Sequence, residues 1–246
     1  MNRLEPESCF AFAAAFFDFD GTIVDSEPAS SIAFRDVIGE LGTLITEAES
    51  EVFCYGRSWH SIFNTVSELH PELKGRYQEF ASMIEELINR EGGYLGTPIA
   101  PSLSTLKQVA KHVPVGIVSG SFRSNLSRAL NTLGLSQYVA TIVGAEDYTQ
   151  GKPNPEPYLI AAQELRIKPD ACVVFEDSQL GIESAQAAGM KCVALNGRFD
   201  AATPHLAVNS LDDVRVWDFL HTPLRGPHFR ISTNGMQKPD VNRSKL

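Results

Sequence analysis

Two aspartates, Asp18 and Asp20, stand two residues apart at the end of an apolar run and are followed at once by Gly21-Thr22. On extended backbone, side chains at i and i+2 point the same way. Carboxylates so placed repel each other unless a cation lies between them. Gly21 lets the chain leave a strand through a tight turn. A strand that merely reaches solvent would look similar, so the pair has to be read with the rest of the chain. Three later clusters match it in character: Ser119-Gly120, Lys152 within Gly151-Lys152-Pro153, and Glu176-Asp177-Ser178. Carboxylates converging from two strand ends, Asp18 and Asp20 with Glu176 and Asp177, form an oxygen-rich site suited to Mg²⁺ rather than Zn²⁺. The Ser119 hydroxyl, the backbone N–H groups from Gly120 onward and the Lys152 ammonium can hold an anion of about three oxygens. Metal, ammonium and amides around an anion, with carboxylates alongside, suit phosphoryl transfer.

The elements that must deliver these groups are legible as a rhythm. Residues 10–19 read as a central strand, apolar on both faces and therefore in a parallel sheet. After Pro98 helices and strands alternate: helices at 101–111, 125–133, 155–165 and 181–188, and strands at 113–118, 140–143, 171–175, 191–195 and 207–211. The helix at 181–188 is capped by Asp177 or Ser178 and ended by Gly189. Such alternation implies a parallel sheet with crossover helices, whose ligands bind beyond the carboxyl ends of the strands. Asp18 and Asp20, Ser119, and Glu176 and Asp177 all fall at such ends.

Between the first strand and Pro98 the apolar spacing is helical: Ile32, Val37, Ile38 and Leu41, then Trp59, Ile62, Phe63 and Val66, then Phe80, Met83, Ile84 and Leu87. The expected organisation is an α/β unit from residues 10–25 and 97–220, Rossmann-like, with a helical insertion over 26–96 and an irregular tail over 221–246. A chain of 246 residues suits such a core with one insert. Its net charge of -9 argues against nucleic acid and against an anionic membrane surface. Four cysteines, Cys9, Cys54, Cys172 and Cys192, form no paired motif, which fits a reducing compartment. Glu5, Glu7 and Asp18 bracket the short apolar run at 9–17, which reads as neither a signal peptide nor a span, so a cytoplasmic location is expected.

Asp18-Phe-Asp20-Gly-Thr, Ser119, Gly151-Lys152-Pro153-Asn-Pro155 and Glu176-Asp177-Ser178 with Gly181-Ile182 and Ala188-Gly189-Met190 resemble, in order, the four motifs of the haloacid dehalogenase superfamily. The resemblance runs from about residue 10 to residue 214, and the helical insertion resembles that superfamily's helical cap in the phosphatase and beta-phosphoglucomutase branch. It implies that Asp18 is a nucleophile forming an aspartyl-phosphate, and that Asp20 is the acid and base. It implies Mg²⁺ held by Asp18, the Asp20 carbonyl and Asp177, with Glu176 in or next to that shell, and a phosphoryl group held by Ser119 and Lys152. The substrate expected is a small phosphorylated metabolite, and the protein a monomer or weak oligomer. Dehalogenases of the superfamily lack the second aspartate, so Asp20 favours phosphoryl chemistry. Mutases of the branch carry a histidine ten residues after it, where this chain has Ser30. A mutase and a non-catalytic binding module are the alternatives. In the insertion, Arg57 reads as a substrate contact or a solvated arginine, and Glu27 as a hinge contact or a helix N-terminal acid.

Overall fold

The structure, a computed structural model, describes residues 10–54, 59–94, 96–196 and 203–222. The chain begins with β1 (Ala14–Phe17) and β2 (Val24–Asp25), then four helices, α1 (Glu27–Glu40), α2 (Glu47–Cys54), α3 (Trp59–Leu69) and α4 (Tyr77–Arg90). It returns through β3 (Thr97–Pro98) and then alternates: α5 (Ala100–Val109), β4 (Val115–Val118), α6 (Arg123–Thr132), β5 (Thr141–Val143), α7 (Glu156–Leu165), β6 (Cys172–Glu176), α8 (Gln179–Ala187), β7 (Lys191–Leu195), β8 (Leu206–Val208) and α9 (Val214–His221). Six strands form one parallel sheet in the order β5-β4-β1-β6-β7-β8. β1 therefore lies inside the sheet, at the point where the strand order turns from one side to the other.

Alternation along the strands divides the apolar residues between two cores. Ala15 and Phe17 of β1, with Val173 and Phe175 of β6, pack towards Leu106 of α5, Leu126 and Leu130 of α6, and Val216 of α9. The Phe17 and Phe175 rings stack with centroids 4.3 Å apart. Ala14 and Phe16, with Cys172 and Val174, pack on the other face towards Tyr158 and Ala161 of α7 and Ile182 and Ala185 of α8. Cys172 and Cys192 are buried free thiols, as their apolar settings imply. The helices α1 to α4 bury a third core around Phe34, Phe63 and Phe80. Both passages between this helical unit and the sheet meet in an antiparallel pair, Val24 with Pro98 and Asp25 with Thr97. Gly96, at φ +99°, permits that approach, because a Cβ there would collide with the Asp25 carbonyl.

The strand expected over 10–19 is confined to 14–17, since its ladder partners on β4 and β6 reach only those positions. Phe10 instead stacks on the His112 ring at 5.2 Å. The final strand lies at Leu206–Val208 rather than 207–211. The two-residue strands β2 and β3 are too short to leave a periodic signal. Helix α2 buries only Ser50 and Cys54 and leaves Val52 exposed. Helix α9 did carry a signal, with Val216, Phe219 and Leu220 at i, i+3 and i+4, all buried. The tail expected from 221 lies outside the described residues apart from His221 and Thr222. Among the described residues no helix is long and apolar enough to cross a membrane.

Candidate active site

The ends of three neighbouring strands, β4, β1 and β6, carry the polar groups. Asp18 follows the last residue of β1 and is buried. Glu176, the last residue of β6, is fully buried on the face that holds Tyr158. The Lys152 Nζ, delivered by the loop between β5 and α7, lies between them, donating to Asp18 Oδ1 at 2.5 Å, to Glu176 Oε1 at 2.5 Å and to the Val118 carbonyl at 3.1 Å. One ammonium thus ties all three strand ends together.

Glu176 is held on every side. Oε1 also accepts from the Tyr158 hydroxyl at 2.9 Å. Oε2 accepts from the Ser178 hydroxyl at 3.0 Å and from the backbone N–H groups of Asp177 and Ser178 at 3.1 and 3.2 Å. Ser178 caps α8 by accepting from the Gly181 N–H at 3.0 Å. The cap expected at Asp177 or Ser178 is therefore Ser178. A Cβ on Gly181 would fall on the Glu176 carboxylate, so the glycine clears the space that the acid fills.

Asp177 turns towards β1, where the Thr22 hydroxyl donates to its Oδ1 at 3.2 Å and Gly21, at φ +81°, leaves room for it. Asp20 differs from Asp18 in setting: it is exposed, and its Oδ2 accepts from the hydroxyls of Ser119 at 3.4 Å and Ser121 at 3.1 Å. The backbone N–H of Ser121 is spent on Ser119 Oγ at 3.0 Å. No described residue accepts from the backbone N–H of Phe19, Asp20 or Gly120. Unpaired donors flanking a carboxylate are a setting for an anion.

The electrostatics follow from burial. Desolvation pushes the Asp18 pKa well above the ordinary carboxylate value; Lys152 opposes this, while Glu176, Asp177 and Asp20 add to it. Desolvation and then Glu176 push Asp177 up to about 7, against Lys152 and the Thr22 hydroxyl. Burial alone would lower the Lys152 pKa, but Asp18 and Glu176 outweigh it and hold the ammonium charged. Oxygens of Asp18, Glu176 and Asp177 lie within 4.8 Å of one another. Three acids so close, with one ammonium to offset them, have a charge deficit that a hard divalent cation would fill, and their all-oxygen character fits Mg²⁺.

Beside Asp20 lies a narrow cleft that opens to solvent. The α/β unit contributes Phe19, Asp20 and Ser121, the helical unit Ser30 and Trp59, and the passage after α4 Tyr94.

Residues 15–195 match the model of the haloacid dehalogenase-like hydrolase family. The chain belongs to that family. The fructose-1-phosphate phosphatase YqaB of Escherichia coli (strain K12) is 30% identical over 189 residues, which are 74% of this chain and 95% of that one. The validoxylamine A 7'-phosphate phosphatase of Streptomyces hygroscopicus subsp. limoneus is 29% identical over 216 residues, 83% of this chain and 96% of that one. The beta-phosphoglucomutase of Clostridium difficile has the same fold, with a TM-score of 0.67 at 24% identity, covering 85% of this chain and 97% of that one.

For this haloacid dehalogenase-like hydrolase, the structure brings together Asp18, Asp20, Ser119, Gly120, Lys152, Glu176 and Asp177. Glu27 is half-buried at the first position of α1, next to Ser26, which lines the cleft. Arg57 lies outside the described residues. Sequence reasoning missed Thr22, Ser121 and Tyr158. Thr22 and Ser121 could have been found, since each sits two residues beyond a named site residue. Tyr158 left no signal, because a tyrosine in an apolar helix reads as core.

Proposed function

We propose that the chain is a Mg²⁺-dependent phosphatase that hydrolyses a small phosphate monoester, such as a sugar phosphate, through an aspartyl-phosphate on Asp18. The observation that carries this reading is the division between the two aspartates. Asp18 is buried against an ammonium, whereas Asp20 is exposed to the cleft and held only by two hydroxyls. The first suits a nucleophile and the second a group that trades protons with the leaving oxygen and with water. An Asp18 oxygen attacks phosphorus as the bond to the leaving oxygen breaks, and Asp20 gives that oxygen its proton. Water then attacks phosphorus, Asp20 takes a water proton, and the bond to Asp18 breaks. Lys152, with the N–H groups of Phe19, Asp20 and Gly120 and the Ser119 hydroxyl, binds the phosphoryl oxygens.

Asp18 and Asp177 side chains and the Asp20 carbonyl would hold the metal. Glu176 belongs next to that shell, because both of its oxygens are engaged by donors, and its role is to fix Lys152. When bound, the cation offsets the charge of phosphate and carboxylate and so lets them meet. The names of the two curated relatives support a sugar-like phosphate ester as substrate. The helices over residues 26–96 act as the cap that closes over it, with β2 and β3 as the hinge. The buried thiols suit a cytoplasmic location, and the protein works as a monomer or weak oligomer.

The test is turnover of p-nitrophenyl phosphate and a panel of sugar phosphates with Mg²⁺ and with EDTA. Activity with Mg²⁺, silenced by chelator and restored by metal, is expected. Full activity in chelator would refute the metal reading, and glucose 1-phosphate converted without phosphate release would replace the phosphatase by a mutase.

A further inference from the structure

Among the described residues lining the cleft is a buried polar side chain for which the proposed chemistry has no use. Asn125, in α6, is 5% exposed, yet its Oδ1 is buried without a hydrogen-bond partner among the described residues. Asn125 is among the described residues that line the cleft, together with Asp20 and Ser121. Buried amide oxygens are nearly always paired, and an orphan is costly to the fold. Two other buried side-chain oxygens share this state among the described residues, Ser102 Oγ and Gln179 Oε1, and neither residue lines the cleft. Of these three orphans among the described residues, Asn125 Oδ1 is the one that belongs to a residue lining the cleft.

Its surroundings narrow what that group can be. Gly93, at φ +101°, packs the passage after α4 against the α6 backbone; a Cβ there would come within 2.7 Å of the Asn125 carbonyl. This close approach brings Tyr94 into the same cleft as Asn125. Aromatic residues (Phe19, Trp59 and Tyr94) and serines line it, and no described residue lining the cleft is cationic. Among those described residues a second phosphate or a carboxylate would find no counter-charge, whereas a neutral hydroxyl needs none. Because hydroxyls both donate and accept, one satisfies the carboxamide in either orientation.

We propose that Asn125 is a specificity residue that reads a hydroxyl of the leaving group, so that the substrate is the phosphate ester of a neutral sugar or polyol. This rests on the phosphatase reading above. A site built to pair a substrate hydroxyl discriminates strongly against analogues lacking it, because its own polar group is left unpaired.

The experiment compares wild type, Asn125→Leu and Asn125→Ser on fructose 1-phosphate, glucose 6-phosphate and p-nitrophenyl phosphate, with melting temperatures alongside. The expected loss of kcat/KM for Asn125→Leu is roughly ten- to a hundred-fold greater on the better sugar phosphate than on p-nitrophenyl phosphate. Asn125→Ser, with a shorter oxygen, falls between. The melting temperature of Asn125→Leu is at or above that of wild type, since an unpaired polar atom is removed. Equal losses on both kinds of ester, or a lower melting temperature with unchanged selectivity, would overturn the proposal in favour of a structural role. A wild type that cleaves p-nitrophenyl phosphate but neither sugar phosphate would overturn it while leaving the phosphatase reading intact. A wild type that cleaves none of the three would remove both.

Discussion

Replacing Gly181 by alanine tests how tightly the site is built. In the interior of a helix this change ordinarily stabilises by about 0.5–1 kcal/mol, because alanine has less freedom to lose. Here the sign reverses. The new Cβ would fall on the Glu176 carboxylate, which is fixed by Lys152, Tyr158, Ser178 and two backbone N–H groups. Overpacking costs about 1–3 kcal/mol, and each hydrogen bond to a charged group that Glu176 gives up costs about 1.5–3 kcal/mol. Loss of a single such bond, set against the helix gain, leaves a net destabilisation of about 2–5 kcal/mol. For a domain of this size that lowers Tm by roughly 4–20 °C. Thermal unfolding of purified Gly181→Ala beside wild type measures it, and phosphatase activity should fall more than about tenfold as Lys152 loses its anchor. Gly189→Ala is the control: φ is +77° but the space is open, so backbone strain alone costs about 1 kcal/mol. A Gly181→Ala protein that melts at or above wild type and keeps its activity would refute the packing account of Glu176.

Tyr158→Phe removes one donor from buried Glu176 and should cost about 1.5–3 kcal/mol in urea denaturation, whereas a change under about 0.5 kcal/mol would mean that this bond contributes nothing. His205 gives a pH dependence away from the site. Burial, then the neighbouring Lys191 ammonium, lower its pKa from 6.5 to about 4. The neutral ring, whose Nδ1 accepts from the Cys192 N–H at 3.2 Å, thus contributes stability that is complete above about pH 6.5 and lost as pH falls through about 4. Urea titrations between these limits should show a shallower decline for His205→Gln than for wild type; parallel curves would contradict the assignment.

Most of the sheet was legible because its strands are short, doubly buried apolar runs separated by amphipathic helices. The site was legible because Asp18, Ser119 and Glu176 close three of those runs, so strand order alone brings them together. Tertiary pairing was not legible. It trimmed β1 to the residues that β4 and β6 can reach, and it created β2 and β3, whose two-residue lengths carry no period. The inequality of Asp18 and Asp20 could be expected from the family resemblance, but its physical cause, one carboxylate buried against Lys152 and the other exposed beside Ser119 and Ser121, needed coordinates. The same holds for Glu176. As a sequence feature it is one more acid beside Asp177; in the fold it is the fully buried anchor of the site's ammonium. Tyr158 and Gly181 explain that burial; Gly181 belongs to the family pattern without revealing why a glycine is needed there, and Tyr158 reads as core.

The central claim is that Asp18 takes the phosphoryl group. Rapid mixing of wild type with p-nitrophenyl phosphate and Mg²⁺, acid quenching, and peptide mass spectrometry under acidic conditions tests it directly. Phosphate should appear on the peptide carrying Asp18 within the first turnover, and Asp18→Asn should show neither that adduct nor turnover while keeping the wild-type fold. Phosphate on any other residue, or steady turnover by Asp18→Asn, would contradict the account.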